Sequence, residues 1–332
     1  MILKNIKRIC IIGFGSIGRK HFSIVREMYP EIEIILVRSG KGKNFGEEKF
    51  AKKIVNNIDE AINFSPEAAF ICTPATLHLI QATKLIEKNI PILIEKPLSD
   101  SSIGIKDLKI LANQSNAVIL VGYVLRYSES LKFFKKMIDN KLRFNFDRAD
   151  INCQSFLPDW RPNQDYKKSP SANKKLGGGV LLELSHEIDY ANWIFGGFKN
   201  VSCKLENTGI LDIDVEDNAS LKLVSNKNID VNIDLNFSRK EKVRECIYKN
   251  KEYSIKWDGI KDEVILKRKN SDPKIWSFKS GDNEIYKKQI KHFFKCVIKS
   301  EKPQVSLDES IEVLNIVEMA KKSNNQNRKI II

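Results

Sequence analysis

The chain is short of histidine and of cysteine and has no long apolar run, and each shortage removes a class of explanation. Four histidines and six cysteines are spread over 332 residues. Cys10, Cys72, Cys153, Cys203, Cys246 and Cys296 lie far apart, with no C-x-x-C pair and no neighbouring histidine. The spacing of a zinc site is therefore missing, and no metal is expected. Several of these thiols sit in apolar runs, as buried cysteines do in a reducing compartment, so a cytoplasmic protein is expected. No apolar stretch approaches the roughly 18 residues of a membrane span. The opening "MILKNIKRICIIGFG" places lysines before an apolar run, as a signal peptide does, but the run breaks at a glycine turn instead of a small-residue cleavage site. A soluble protein with no membrane partner follows.

Acidic residues are outnumbered, 42 against 56 lysines and arginines, for a net charge of +14. The lysines are scattered along the whole length and not clustered on one helix or arm, so a nucleic-acid partner is not expected. A solvated basic surface with a mild preference for anionic ligands is the better reading. What is present in quantity is apolar residue, 42% of the chain, in a length that favours two domains.

From 7 to 122, "KRICII", "EIEIILV", "AAFIC", "IPILIE" and "AVILVG" read as strands, separated by helical patterns at 16–28, 76–88 and 104–115. Apolar strands alternating with helices predict a parallel, doubly wound sheet of the Rossmann type. After Arg126 come a helix-like "SESLKFFKKMIDN", a long polar connection from Leu157 to Val180, and a helical pattern over 180–195. Period-two runs between about 200 and 280 predict a large, mostly antiparallel open sheet. Two helical patterns, 284–298 and 308–322, close the chain. The expected fold class is α/β, with a dinucleotide-type domain at 1–122 and an α+β domain at 123–332. The last helices are expected to be able to pack back on the first domain.

"CIIGFGSIGRKH" supplies Gly13, Gly15 and Gly18 between the first strand and the first helix. The first glycine permits the tight turn, the second lets a pyrophosphate approach the backbone, and the third packs helix on strand. The phosphates then meet the helix N-terminus at Ser16, Ile17 and Gly18. The end of the second strand lacks the acidic residue that holds the ribose hydroxyls of NAD and carries Arg38 and Ser39. A guanidinium and a hydroxyl suit a 2′-phosphate, which favours NADP over NAD. An arginine stacked on the adenine, compatible with either cofactor, is the alternative.

Two further stretches fall at the carboxyl ends of later strands, where ligands bind in such sheets: "CTPATLH", Cys72 to His78, and "EKP", Glu95 to Pro97. Lys96 is thereby aimed at the cleft. In "GGGVLLELSHEIDY", Glu183, His186 and Asp189 are spaced by three, so one helix can carry all three on one face. A histidine oriented by a carboxylate is what proton transfer near neutral pH requires.

Together "GFGSIGRKH", "CTPATLH", "EKP" and "GGGVLLELSHEID" resemble, in order and across both domains, the Gfo/Idh/MocA family of glucose–fructose oxidoreductase and inositol dehydrogenase relatives. The resemblance implies a nicotinamide cofactor used to oxidise or reduce sugars, inositols or related compounds. It implies Lys96 near the reacting hydroxyl and His186 as the acid/base. Cys72, Thr73, Pro74, His78 and Glu95 would line the cofactor, with Thr73, Pro74 and His78 at the nicotinamide ribose. The family commonly places an aspartate four residues before the histidine, whereas here Glu183 stands three before it. The polar segment is similar to a branch found among bacterial surface-sugar biosynthesis proteins, near nonulosonic acid and nucleotide-sugar pathways. Trp160, Arg161, Asp165, Tyr166 and Lys167 would then border the substrate, with Tyr123 and Arg126 at the domain junction. The open sheet of such proteins often mediates contacts between copies, which implies a homo-oligomer, a dimer or tetramer.

The expected function is hydride transfer between NAD(P) and a hydroxyl or keto carbon of a sugar or nucleotide-sugar. A redox-neutral epimerase or eliminase that retains its cofactor, and a non-catalytic dinucleotide sensor, are the alternatives.

Overall fold

The computed structural model describes residues 6–40, 42–115, 117–140, 146–281 and 283–332. The lysine-bearing opening at 1–5, part of the signal-like stretch, lies outside the described residues. The chain divides into one unit of Met1–Val124 with Asp282–Ile311 and another of Leu125–Gly281 with Glu312–Ile332.

In the first unit the strands are β1 (Arg8–Ile12), β2 (Glu33–Val37), β3 (Lys53–Val55), β4 (Ala68–Ile71), β5 (Ile92–Ile94) and β6 (Ile119–Val121). They form one parallel sheet in the order β3-β2-β1-β4-β5-β6. Ile9 to Ile11, Ile34 to Leu36 and Ala68 to Ile71 are fully buried, as strands covered on both faces must be. The helices are α1 (Ser16–Met28), α2 (Ile58–Ile62), α3 (His78–Ile86) and α4 (Ile105–Gln114). On α1 the buried residues Gly18, His21, Phe22, Ile24 and Val25 recur at helical spacing and make one apolar face.

The second unit begins with α5 (Glu129–Asn140), β7 (Arg148–Phe156), α6 (Val180–Glu183) and α7 (Ser185–Phe195). The helical pattern at 180–195 is thus two helices, because Leu184 leaves helical geometry at ψ 28°. Then come β8 (Phe198–Glu206), β9 (Asn218–Ser225), β10 (Asp230–Asn236), β11 (Ser238–Lys249), β12 (Tyr253–Asp258), β13 (Glu263–Arg268) and β14 (Lys274–Ser277). α8 (Glu284–Lys299) belongs to the first unit, α9 (Leu307–Gln326) follows, and β15 (Ile330–Ile331) ends the chain.

The second sheet runs β14-β13-β12-β11-β7-β10-β9-β8-β15 and is antiparallel except where β7 pairs with β10. β7 has no counterpart in the sequence reading. Its buried positions Ala149, Ile151 and Cys153 alternate with Asp150, Asn152 and Gln154 on the open face. That face is laced by polar side chains, with Asn232 donating to Asp150 (2.8 Å), Ser220 to Asp234 (2.7 Å) and Lys256 to Glu245 (2.6 Å). The other face packs on α7, where Tyr190 meets Trp257 edge-on at 5.4 Å.

In the first unit α8 closes the core. Phe293 and Phe294 are fully buried, and Phe293 stands edge-on to Phe70 at 5.5 Å. Each such ring contributes roughly 1.5–3 kcal/mol through burial. No helix among the described residues is long and apolar enough to cross a membrane.

Candidate active site

Gly13, Gly15 and Gly18 each serve a different geometric demand. Gly13 has φ +88°, and a Cβ there would stand 2.9 Å from the Cys72 carbonyl oxygen. A Cβ at Gly18 would overlap the Gly13 carbonyl. Gly15, the N-cap of α1, has φ −76° and nothing within 4 Å of where its Cβ would lie. The turn is therefore closed on the protein side and open in front of the helix N-terminus. The first turn of α1 contains no acidic residue, and its amides have no acceptor within the helix. This is the shape and charge that a pyrophosphate fits.

Because β1, β4 and β5 are parallel neighbours, their carboxyl ends lie along one edge of the sheet. That edge carries the glycine loop, Cys72 to Pro74 and Glu95 to Pro97. Thr73 Oγ1 donates to Gln81 Oε1 at 2.7 Å. The Cys72 thiol is pushed well above its usual range by burial and by the Glu95 carboxylate. Lys96 is half-buried in the turn after β5.

His78 and Glu95 sit deeper than the sequence suggests. His78 is 1% exposed, with Nδ1 2.8 Å from the Pro97 carbonyl and Nε2 2.8 Å from the Thr73 carbonyl. Burial lowers its pKa below 6.5, although both carbonyls pull the other way. The ring thus packs between the turn after β4 and the turn after β5, and in its neutral form donates its one N–H to one of the two carbonyls. Glu95 Oε1 lies 2.6 Å from Nε2 of His21, which is fully buried on α1, while Oε2 accepts from the Lys96 backbone N–H at 3.3 Å. His21 was missed in the sequence reading; its signal was a polar residue three positions after Gly18, on the buried face of α1.

Arg38 follows β2, and its backbone N–H donates to Val55 of β3 at 2.9 Å. Its guanidinium is engaged by Glu48, by Asn44 Oδ1 (3.2 Å) and by the Lys43 carbonyl (2.5 Å). Ser39 is exposed beside it, and Tyr123 is 1% exposed just after β6.

In the second unit Gly179 opens α6 at φ +113°, where a Cβ would overlap the Glu216 side chain. Glu216 accepts from the N–H groups of Val180 (3.0 Å, to its carbonyl) and Leu181 (3.3 Å, to Oε1), fixing the start of the helix. Glu183 and His186 are half-buried, on α6 and α7 respectively. Asp189 is fully buried and receives Arg126 through two parallel bonds, Nε to Oδ2 at 2.9 Å and Nη2 to Oδ1 at 2.8 Å. Arg126 is itself fully buried, its guanidinium 5.0 Å from the Trp193 ring. Glu187, also missed, is fully buried against Arg244 Nε at 2.9 Å, and burial raises its carboxyl pKa.

Trp160, Arg161, Asp165 and Tyr166 line one small pocket together with Leu157 and Gln164. Trp160 Nε1 donates to Ser155 Oγ at 2.9 Å, and Lys167 pairs with Asp212 at 2.6 Å. Among the described residues no group of three or more His, Cys, Asp or Glu is placed to hold a metal.

Residues 7–123 match the model of the oxidoreductase family with an NAD-binding Rossmann fold, GFO_IDH_MocA, and residues 151–249 match the GFO/IDH/MocA C-terminal domain. The chain belongs to the Gfo/Idh/MocA family. It is similar to scyllo-inositol 2-dehydrogenase (NADP(+)) IolW of Bacillus subtilis, 20% identical over 62% of this chain and 57% of that one. The chain spans about half the length of the curated relatives it matches. A solved levoglucosan dehydrogenase in complex with NADH and levoglucosan shares the fold, with TM-score 0.84, 16% identity and 98% of both chains covered. So does the WlbA dehydrogenase from Chromobacterium violaceum in complex with NADH and UDP-GlcNAcA, at TM-score 0.82 and 16% identity over 100% of this chain and 97% of that one.

Proposed function

We propose that the chain is an NAD(P)-dependent dehydrogenase or reductase acting on a CH–OH group of a sugar or nucleotide-sugar. The observation that carries it is the glycine turn, crowded at Gly13 and Gly18, open at the α1 N-cap Gly15, and set on the same sheet edge as Lys96. In this reading 1–122, with α8 packed in their core, hold the dinucleotide, and the rest of 123–332 holds the substrate and forms the contacts between copies of a cytoplasmic homo-oligomer. The nicotinamide supplies a hydride acceptor or donor at C4. His186 takes the hydroxyl proton as the carbinol C–H hydride leaves, and returns it in the reverse direction. Lys96 stabilises the developing alkoxide by its charge. Glu183 orients His186, and Trp160, Arg161, Asp165 and Tyr166 grip the sugar. Lys167 borders that grip, while Arg126, buried against Asp189, braces the helix that carries His186.

A family relative named for inositol and neighbours solved with levoglucosan or UDP-GlcNAcA support a polyhydroxylated substrate. The UDP-GlcNAcA neighbour also supports a nucleotide-sugar, the substrate class on which a surface-sugar role would rest, because basic residues of the polar segment suit a diphosphate or carboxylate. The test is nicotinamide reduction against a panel of inositols, sugars and UDP-sugars, with Lys96→Met alongside wild type. The expected result is turnover lost by a factor of about a hundred or more with cofactor affinity retained. Normal turnover in Lys96→Met would sink the assignment.

A further inference from the structure

We propose that Glu48 sets which dinucleotide the first unit holds, tying down Arg38 so that the site favours NAD(H) over NADP(H). The inference rests on the reading of this unit as a dinucleotide domain and concerns its adenosine end.

By type alone, Arg38 and Ser39 suit a 2′-phosphate. The geometry changes what Arg38 offers. Its guanidinium reaches Glu48, Asn44 and the Lys43 carbonyl, and the ion pair with Glu48 is 10% and 12% exposed at its two side chains. A charge pair this sheltered is costly to break, because either partner is left with its charge uncompensated. A 2′-phosphate brings about two negative charges at neutral pH. To bind Arg38 it must displace a carboxylate or lie beside one.

Glu48 is held in place independently of Arg38. It lies in the short 3-10 turn Gly46–Phe50, where its Oε1 accepts from the Phe45 N–H at 2.6 Å and its own N–H donates to the Phe45 carbonyl at 3.1 Å. The turn is pinned to the glycine loop, since Phe45 stands edge-on to Phe14 at 6.1 Å and lies under the Arg19 guanidinium at 4.1 Å. Arg19 also pairs with the neighbouring Glu47. Swinging the Glu48 carboxylate away from Arg38 therefore also gives up its bond from the Phe45 N–H, in a segment anchored on α1. A carboxylate thus stands against Arg38 from ten residues further along the chain, although the end of β2 itself carries none.

The test is a fluorescence titration of the purified full chain with NADH and with NADPH, for wild type, Glu48→Gln and Glu48→Ala. We expect wild type to bind NADH about tenfold or more tighter than NADPH. Both variants should narrow that ratio about tenfold by gaining NADPH affinity, with NADH affinity little changed. Tighter NADPH binding by wild type, or a ratio that the variants leave alone, overturns the proposal and leaves the dinucleotide domain standing. Binding of neither nucleotide by wild type overturns the dinucleotide reading itself and the proposal with it. Should one variant fail to fold, the other decides.

Discussion

Replacing Gly15 with valine should separate binding from folding. The residue has φ −76°, which any L residue adopts, and nothing lies within 4 Å of its Cβ position. The folded chain therefore loses about 1 kcal/mol or less, the difference between glycine and valine at a helix N-cap. A valine there fills the space in front of the first-turn amides of α1. Two hydrogen bonds from those amides to a charged pyrophosphate are worth about 1.5–3 kcal/mol each, so about 3–6 kcal/mol of binding is at stake. That is roughly two to four powers of ten in Kd. Gly13→Val is the contrasting case. Its φ is +88°, and its Cβ meets the Cys72 carbonyl oxygen at 2.9 Å, so the fold itself pays, by about 1–3 kcal/mol of backbone strain and more from the overlap. Urea unfolding and titration with whichever nicotinamide dinucleotide the wild type binds measure both quantities. A Gly15→Val chain that binds within about threefold of wild type refutes the cradle, because the predicted loss is far larger.

The buried groups give two further predictions. His78 holds its proton less tightly in the folded chain than the ordinary 6.5, so its contribution to stability is complete above 6.5 and is lost as pH falls through the lower folded value. The slope is at most about 1.4 kcal/mol per pH unit. His78→Gln should remove it, and urea midpoints of the two proteins that differ by the same amount at every pH would contradict the assignment. Arg126→Met or Asp189→Leu alone should each cost about 3–5 kcal/mol by stranding a buried charge, while the double substitution should recover much of the loss. Additive losses in the double variant would show that the pair is not the source.

How much of this was legible depended on what surrounds each residue. Five of the six strands of the first sheet read clearly because both faces are buried, which forces near-continuous apolar sequence such as "RICII" and "EIILV", whereas β3 was missed, since this short edge strand exposes Lys53 and Ile54. β7 did not, because Asp150, Asn152 and Gln154 point to a face where they bond to other side chains, and the apolar positions between them include only Ala149, Ile151 and Cys153. The break at Leu184 was equally silent, since the apolar period runs through it unbroken. Glu183, His186 and Asp189 therefore do not share one continuous helix. Identity was legible at Arg38, but partnership was not: Glu48 reaches it only because the chain folds back through Phe45 onto Phe14.

The motifs that identify the family contain two kinds of residue that look alike in sequence. Lys96 and His186 are half-buried, open enough to meet a ligand. Glu95, His78, Asp189 and Arg126, which stand in or near the same motifs, are at most 7% exposed and spend their polar atoms on other buried side chains or on backbone. A reacting lysine needs access, yet a long flexible side chain also needs its backbone fixed. The Lys96 turn is fixed from two sides, by Glu95 against His21 and by His78 against the Pro97 carbonyl. The second unit repeats the arrangement, with His186 on a helix anchored one turn later by Asp189 and Arg126. Titratable type alone therefore overstates the number of reacting groups, and burial sorts the braces from the residues that can touch a substrate.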